Sequence, residues 1–188
     1  FEQAIKNSAA YDDTIRDKLR KGKSGEELFF ELALEDLTRA ADLFRPIYDQ
    51  TNTVDGWVSL EVSPLLAYDT ASTLAAAKSL YARAGRPNLF IKIPGTEEGL
   101  PAIEEAIFAG VPVNVTLLFS REHYLASAEA FLRGIERRMD AGLNPNVGSC
   151  LLYTSDAADD LPCVDLGGRR ILKKKKKTTK TRTYSYLE

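Results

Sequence analysis

One lysine lies inside a short apolar run that ends in a Pro-Gly turn, Leu89-Phe90-Ile91-Lys92-Ile93-Pro94-Gly95-Thr96. A short apolar run bounded by turn residues predicts a buried strand of a parallel sheet. An ammonium group in such a strand must be paired or must lose its proton, because burying an isolated charge is costly. A neutral lysine amine is a nucleophile that can form a Schiff base with a carbonyl substrate. The alternative is a strand-end lysine whose stem covers apolar surface while its head reaches water.

Strand-like and helix-like segments alternate around this run. Residues 57–62 and 111–119 are β-prone, and each is followed by apolar residues at helical spacing. Such strand–helix repetition predicts a parallel sheet with right-handed crossovers. No Gly-rich phosphate loop joins a strand to its helix, so a dinucleotide-binding fold has no direct support. Glu61, Lys92 and Thr116 fall near the C-terminal ends of the three strands, where a (β/α)8 barrel builds its active site.

The helix boundaries carry capping signals. Ser24 and Glu27 fit a capping box, in which each side chain satisfies a backbone N–H at a helix start. A long amphipathic helix follows, and we expect it to break near Pro46, because proline removes a helical hydrogen bond. Caps are also predicted at three later helix starts, namely Asp69 or Thr70, Thr96, and Ser120.

Composition narrows the range of functions. The chain has 188 residues, 44% of them hydrophobic, which is enough for one domain with a sizeable core. No apolar run approaches the roughly 20 residues that span a bilayer, and we expect a cytoplasmic protein that contacts no membrane. Residues 1–149 carry a net charge of −6 and contain no cysteine, whereas residues 150–188 carry +4 and both cysteines. Nucleic-acid binding and a thiolate metal site are therefore not expected in the first part.

Three segments, in this order and at about this spacing, resemble successive strands of the transaldolase family. They are Val58-Ser59-Leu60-Glu61-Val62, Leu89-Phe90-Ile91-Lys92-Ile93-Pro94 and Asn114-Val115-Thr116-Leu117-Leu118-Phe119-Ser120. The resemblance covers residues 1–149 and implies an α/β fold, a TIM (β/α)8 barrel of the class I aldolase type. It implies a reaction of the pentose phosphate pathway, in which a dihydroxyacetone unit moves from a ketose phosphate (sedoheptulose 7-phosphate or fructose 6-phosphate) to an aldose phosphate. The acceptor aldoses would be glyceraldehyde 3-phosphate and erythrose 4-phosphate.

The resemblance also assigns roles to four residues. Lys92 matches the Schiff-base lysine, and Glu61 matches the carboxylate that handles a water during formation and hydrolysis of the iminium. Thr116 matches the residue that holds this water, and Asn114 matches a contact to hydroxyls of the three-carbon intermediate. No metal or other cofactor is expected, because the iminium itself withdraws electrons. Ser120 is interpreted as a helix cap, and His123, the only histidine, as a solvated side chain.

Other parts of the family pattern have no match in this sequence. The family's proton-transfer aspartate lies on a strand before the region matched here, and its phosphate-binding serine and arginine lie on a strand after it. Only about three central strands of a (β/α)8 barrel are recognised, and such a barrel normally takes about 250 residues. We therefore expect the chain to be an internal part of a longer enzyme, called the parent protein below. The sequence does not give its oligomeric state.

Residues 150–188 differ in character from the rest of the chain. Residues 151–160 and 164–171 resemble translated sequencing-adapter DNA, and the lysine run 173–177 fits a translated run of adenines. Leu172 departs from this pattern. We interpret residues 150–188 as a non-native, disordered tail and residues 1–149 as the partial barrel. The alternative for the tail is a disordered basic segment that binds anions.

Two further functions stay open at this point. One is a related lysine-dependent aldolase that uses free dihydroxyacetone or another small ketose. The other is non-catalytic, either a barrel that binds sugar phosphates or a fragment that binds another protein. The presence of Lys92 together with Glu61 argues against the second, since a binding module does not use a buried nucleophile.

The interpretation of the tail makes a prediction about the gene. We expect genomic sequence to continue from Ser149 into a further barrel strand, without codons for residues 151–171. An independently prepared, adapter-free genomic read is the measurement. Codons for those residues in such a read would contradict the adapter interpretation.

Overall fold

In the part of the chain that the structure describes, four parallel strands and one short antiparallel strand form a single sheet. The computed structural model describes residues 6–7, 9–153 and 163–164. The parallel strands lie side by side in sequence order, and a two-residue strand, β5, pairs antiparallel with the last of them. The strands are β1 (Val58–Glu61), β2 (Leu89–Pro94), β3 (Val113–Leu118), β4 (Ser149–Tyr153) and β5 (Cys163–Val164).

Helices connect the parallel strands, as the alternating sequence pattern predicts. Within the described residues, the connecting helices are α3 (Thr70–Ala84), α4 (Gly99–Phe108) and α5 (Arg121–Asp140), and two further helices, α1 (Asp12–Arg20) and α2 (Gly25–Gln50), precede β1. Short 3-10 turns occur at Ala9–Tyr11 and Pro64–Leu66. None of the helices in this part of the chain is long and apolar enough to cross a membrane.

The two faces of the sheet have different environments, because side chains alternate along each strand. One face, called the helix-packed face below, carries Ile91, Ile93, Val113 and Val115, all completely buried. They form one core with residues of α3, α4 and α5, such as Ala77, Ile103 and Ala130. The other face, called the site face below, carries the alternate residues Ser59, Glu61, Phe90, Lys92, Asn114 and Thr116.

Helices α4 and α5 pack closely because α5 presents a glycine at the contact. An added Cβ on Gly134 would lie 2.8 Å from the Glu104 carbonyl oxygen and 2.8 Å from Ile107 Cβ. Beside this contact, the Glu104 carboxylate accepts hydrogen bonds from Arg133 (2.7 Å) and Arg137 (2.9 Å). The Arg133 hydrogen bond is the main cause that holds the pKa of Glu104 below its usual range. The pair of helices is therefore fixed by both packing and charge.

The expected helix break at Pro46 is wrong, because α2 continues through this residue to Gln50. The last turn of α2 is held in place by packing. The Tyr48 and Trp57 rings meet edge to face with centroids 5.0 Å apart. Gly56 approaches so closely that an added Cβ would lie 2.4 Å from the Tyr48 backbone nitrogen. We attribute the continuous helix to these contacts, which compensate for the single hydrogen bond that proline removes.

The capping predictions were right for α3 and α5 and wrong for α2, and at α4 the N-cap residue is Glu98 rather than Thr96. Ser24 is the N-cap residue of α2, but its side chain makes no capping hydrogen bond, and Glu27 pairs with Lys23 instead. The three other helix starts have the expected acceptors. Asp69 accepts from Ser72 N (3.0 Å), Thr96 Oγ1 from Gly99 N (3.1 Å) and Ser120 Oγ from His123 N (3.1 Å).

The structure contains one parallel strand more than the three expected. Strand β4 (Ser149–Tyr153) pairs with β3, and its first residue is the register partner of Val113. This strand therefore runs across the predicted boundary between residues 149 and 150. The sequence interpretation stopped before this strand because residues 151–160 were assigned to the tail. Most of residues 150–188 lie outside the described residues, and the boundary at 149 stays a prediction.

The close α4–α5 contact predicts that Gly134→Ala destabilises the parent protein by about 1–3 kcal/mol, because a methyl group cannot fit against backbone atoms. This loss exceeds the roughly 1 kcal/mol that alanine gains over glycine within a helix. Chemical denaturation measures the difference. Glu129→Ala, at an exposed position of the same helix, is the control and should change stability by less than about 0.5 kcal/mol. Equal stability of the two variants would contradict the packing argument.

Candidate active site

Lys92 and Glu61 meet on the site face of the sheet. They are register partners on the neighbouring parallel strands β2 and β1. The distance from Lys92 Nζ to Glu61 Oε2 is 3.6 Å, slightly beyond a direct hydrogen bond. At this separation one water can bridge the two groups. The carboxylate is therefore placed to exchange protons with the amine, either through a water or after a small side-chain rotation.

Lys92 is less buried than the sequence suggests. The other residues of β2 are buried, but the Lys92 side chain is 27% exposed. The apolar neighbours Ile91 and Ile93 point to the helix-packed face, whereas the lysine points to the site face. Within the described residues, the Lys92 side chain is thus partly solvated and lies close to a carboxylate. The free-energy cost of burying an isolated charge therefore does not arise. Glu61 is more open, with 57% of its side chain exposed.

Strand β3 adds two buried polar residues beside this pair. Asn114 is the register partner of Lys92, and Thr116 is the partner of Pro94. Asn114 is 6% exposed and Thr116 is 8% exposed. In the described part of the chain, Asn114 Oδ1 and Thr116 Oγ1 are buried without a hydrogen-bond partner. Two unused polar atoms therefore lie next to the Lys92 strand, where they can bind a substrate group or a water.

A β-bulge follows Thr116 directly. Leu117 has a φ of +60°, which is uncommon for a residue with a side chain, and the β3–β4 register shifts between Val115 and Leu118. As a result Leu117 is half exposed, while Leu118 is completely buried and approaches Gly95. Without the extra residue, simple alternation would turn Leu118 to the same face as Thr116. The bulge therefore ends the polar stripe of β3 at Thr116.

Two residues of the site face, Ser59 and Phe90, were not predicted from the sequence to belong to the site. Ser59 Oγ accepts a hydrogen bond of 3.2 Å from Asn114 Nδ2, and Phe90 stacks on Trp57 with ring centroids 4.0 Å apart. Ser59 precedes Glu61 by two residues, and Phe90 precedes Lys92 by two. The period of two along a strand was the signal that could have placed both on the site face.

The surroundings of Glu61 include a groove of about 260 Å³. Glu61 is one of the residues that line this groove, whereas Lys92 is not. Within the described residues, no group of three or more His, Cys, Asp or Glu side chains is arranged to hold a metal ion. The groove is lined by Glu26, Phe29, Phe30, Leu60, Glu61, Val62, Ser63 and Pro64.

The two remaining candidates lie at the start of α5, away from the lysine strand. Ser120 caps this helix, as expected, and its oxygen is used by the His123 backbone N–H. His123 itself is exposed. These positions agree with the interpretation of Ser120 as a helix cap and of His123 as a solvated side chain, and they do not favour a role in catalysis.

The order of the elements defines the class of protein. Parallel strands that lie side by side in sequence order, joined by helices packed on one face, are the repeating unit of a (β/α)8 barrel. Residues 1–156 match the family described as Transaldolase/Fructose-6-phosphate aldolase, and the chain belongs to this family.

Curated bacterial relatives carry the same family name. The chain is 45% identical over 142 residues to Transaldolase 2 of Nostoc punctiforme, covering 76% of this chain and 37% of the relative. It is 49% identical over 142 residues to a transaldolase of Thermobifida fusca, covering 76% of this chain and 39% of the relative. A transaldolase of Acidothermus cellulolyticus is 42% identical over 175 residues, which covers 91% of this chain and 47% of the relative. The chain thus spans less than half the length of these relatives, and the third alignment extends beyond residue 149.

The unused hydroxyl of Thr116 makes a prediction about stability. Thr116→Val should leave the stability of the parent protein unchanged within about 0.5 kcal/mol or raise it, because it removes a buried hydroxyl that has no partner among the described residues and keeps the shape. The matched control is Thr73→Val. Thr73 is also buried, but its hydroxyl donates to the Leu66 carbonyl oxygen (2.7 Å), so the same change should destabilise by about 1 kcal/mol. Thermal unfolding of both variants measures the change in stability. A similar loss of stability in Thr116→Val and Thr73→Val would contradict this prediction.

Proposed function

We propose that the parent protein is a transaldolase, which transfers a dihydroxyacetone unit from a ketose phosphate to an aldose phosphate in the pentose phosphate pathway. One observation carries this proposal. Lys92 and Glu61 lie 3.6 Å apart near the C-terminal ends of neighbouring parallel strands, in a chain that belongs to the transaldolase/fructose-6-phosphate aldolase family. The active site of a (β/α)8 barrel is built at this end of the strands.

The first stage of the reaction is formation of the Schiff base. Glu61 accepts a proton from the Lys92 ammonium through a water, and the neutral amine adds to the ketose carbonyl carbon. The resulting carbinolamine loses its hydroxyl group as water, once that group has been protonated, and an iminium ion is left. Glu61 supplies this proton, and the Thr116 hydroxyl holds the water. The buried, unpaired Thr116 Oγ1 supports that role.

The second stage is transfer of the three-carbon unit. The hydroxyl group on the second carbon from the iminium carbon gives its proton to a base, the role of the aspartate that the family resemblance places on an earlier strand. The bond between this carbon and the carbon next to the iminium breaks, its electron pair moves toward the iminium nitrogen, and the aldehyde that forms leaves as an aldose phosphate. The enamine that remains on Lys92 then attacks the aldehyde carbon of the acceptor aldose phosphate, and the base returns its proton to the aldehyde oxygen, which becomes a hydroxyl group. Hydrolysis of the new iminium frees the product ketose and restores the amine. Asn114 holds hydroxyls of the three-carbon unit while it is attached, and its place beside Lys92 in the register supports this role.

The principal alternative is a lysine-dependent aldolase, because the family name includes fructose-6-phosphate aldolase. Both reactions would use the same Lys92 adduct. They differ in the partner of the enamine, which is an aldose phosphate in the transferase and a proton in an aldolase that releases free dihydroxyacetone. A non-catalytic sugar-phosphate-binding barrel is disfavoured by the Lys92–Glu61 pair.

The proposed mechanism predicts a trappable adduct. Incubation of the parent protein with fructose 6-phosphate and sodium borohydride should add a reduced three-carbon unit to Lys92, detected by peptide mass spectrometry. Lys92→Ala should abolish the adduct and lower the transfer rate at least about 10⁴-fold, because a covalent intermediate can no longer form.

The control for this experiment is Lys78→Ala, which removes an exposed lysine from α3 and should leave both adduct and rate unchanged. Product analysis with and without erythrose 4-phosphate separates the two reactions. Three-carbon transfer that requires the acceptor supports the transaldolase, whereas release of free dihydroxyacetone at the same rate without acceptor supports the aldolase. An adduct of equal yield in Lys92→Ala would overturn the mechanism.

A further inference from the structure

A side-chain hydrogen bond crosses the central strand of the site. Asn114 on β3 donates from Nδ2 to Ser59 Oγ on β1, 3.2 Å away, although β2 lies between the two strands. In the register, Asn114 is level with Lys92, and Ser59 is level with Phe90. The bond therefore runs diagonally over β2, between the Lys92 and Phe90 side chains. It therefore lies on the site face, next to Lys92, the proposed nucleophile.

This bond leaves the other half of the Asn114 amide without a partner. Nδ2 is used by Ser59, while Oδ1 is buried and accepts no hydrogen bond from the described residues. A buried carbonyl oxygen without a donor is unfavourable by about 1–3 kcal/mol. Lys92, the nearest residue in register, is directed to Glu61 instead. The atom is thus an acceptor that lacks a donor, next to the amine that would carry the substrate.

We propose that Ser59 is a positioning residue, which holds the Asn114 amide so that its carbonyl oxygen accepts a hydrogen bond from a substrate hydroxyl. The inference rests on the proposed function, since it needs a hydroxylated unit attached to Lys92. Ser59 touches neither the substrate nor the reacting atoms and acts only through Asn114. An amide that is free to rotate would present its NH2 group to the hydroxyl part of the time, and a hydroxyl that must donate would then lose its acceptor.

The chemistry of the site favours this orientation of the amide. An N–H donor aimed at the attached unit would lie close to the positive iminium, whereas a carbonyl oxygen places the negative end of its dipole there. Ser59 holds the amide in this position, with its oxygen accepting from Nδ2, and the positive iminium favours the orientation in which Oδ1 faces the attached unit. The sequence signal is the spacing Ser59-x-Glu61, which puts the positioning residue and the carboxylate on one face of one strand.

The test compares Ser59→Ala, Asn114→Ala and the double variant in the parent protein. For three-carbon transfer from fructose 6-phosphate to erythrose 4-phosphate, we expect Ser59→Ala to lower kcat/KM about tenfold, as for the loss of one hydrogen bond. We expect the double variant to be no worse than Asn114→Ala alone, because Ser59 has no effect once the amide is absent. Ser59→Thr retains the hydroxyl and should restore most of the activity.

Two controls separate this role from simple support of the fold. Ser149→Ala removes a serine hydroxyl from the helix-packed side of β4, the partner of Val113, and should leave kcat/KM unchanged. Borohydride trapping on Lys92 should persist in Ser59→Ala, which shows that the nucleophile is intact. If Ser59→Ala does not fold, Ser59→Cys keeps the side-chain size, weakens the acceptor and is measured in the same way.

The outcomes distinguish this inference from the proposed function. No adduct on Lys92 in the unsubstituted protein would contradict the proposed function and this inference with it. A normal adduct with unchanged kcat/KM in Ser59→Ala would overturn the inference alone. Losses from Ser59→Ala and Asn114→Ala that multiply in the double variant would also overturn it, because the two residues would then act independently.

Discussion

The parallel register that pairs Glu61 with Lys92 is the constraint on which the rest of the structure depends. Because side chains alternate between the faces of a strand, a slip by one residue would turn Lys92 into the core and an isoleucine onto the site face. The core opposes such a slip. Ile91 and Ile93 are completely buried, and each is worth about 1.5–3 kcal/mol relative to an exposed side chain. The polar site is therefore held in place by apolar contacts on the opposite face.

A buried amide supports the same register from the N-terminal end of the sheet. Asn88, immediately before β2, donates through Nδ2 to the carbonyl oxygens of Ala41 (2.8 Å) and Gly56 (2.9 Å). It thus ties the start of β2 to α2 and to the residues that lead into β1. Helices α4 and α5, which pack together at Gly134 and through the Glu104 ion pairs, contribute Ile103 and Ala130 to the same core. The position of Lys92 therefore depends on contacts between the sheet and the helices packed on it, and not on strand β2 alone.

Local patterns predicted the lysine strand and the later helix starts, because each depends on only a few neighbouring residues. Strand β2 has the expected bounds, and Asp69 and Ser120 cap their helices as predicted. The errors arose where distant residues decide the outcome. Pro46 lies inside a helix whose last turn packs through Tyr48 on Trp57, and no local sequence signal predicts the bulge at Leu117. Ser59 was missed because its partner, Asn114, lies 55 residues away.

The aromatic stack beneath the site has a consequence for spectroscopy. Trp57 is the single tryptophan of the chain, and its ring stacks on Phe90, two residues before Lys92 on the same face. Its indole N–H also donates to the Thr53 carbonyl oxygen (2.8 Å). Any disturbance of β2 on the site face must alter the packing or solvation of this indole. The tryptophan fluorescence of this chain therefore comes from one residue, and its emission reports on the packing beside the candidate active site without an added label.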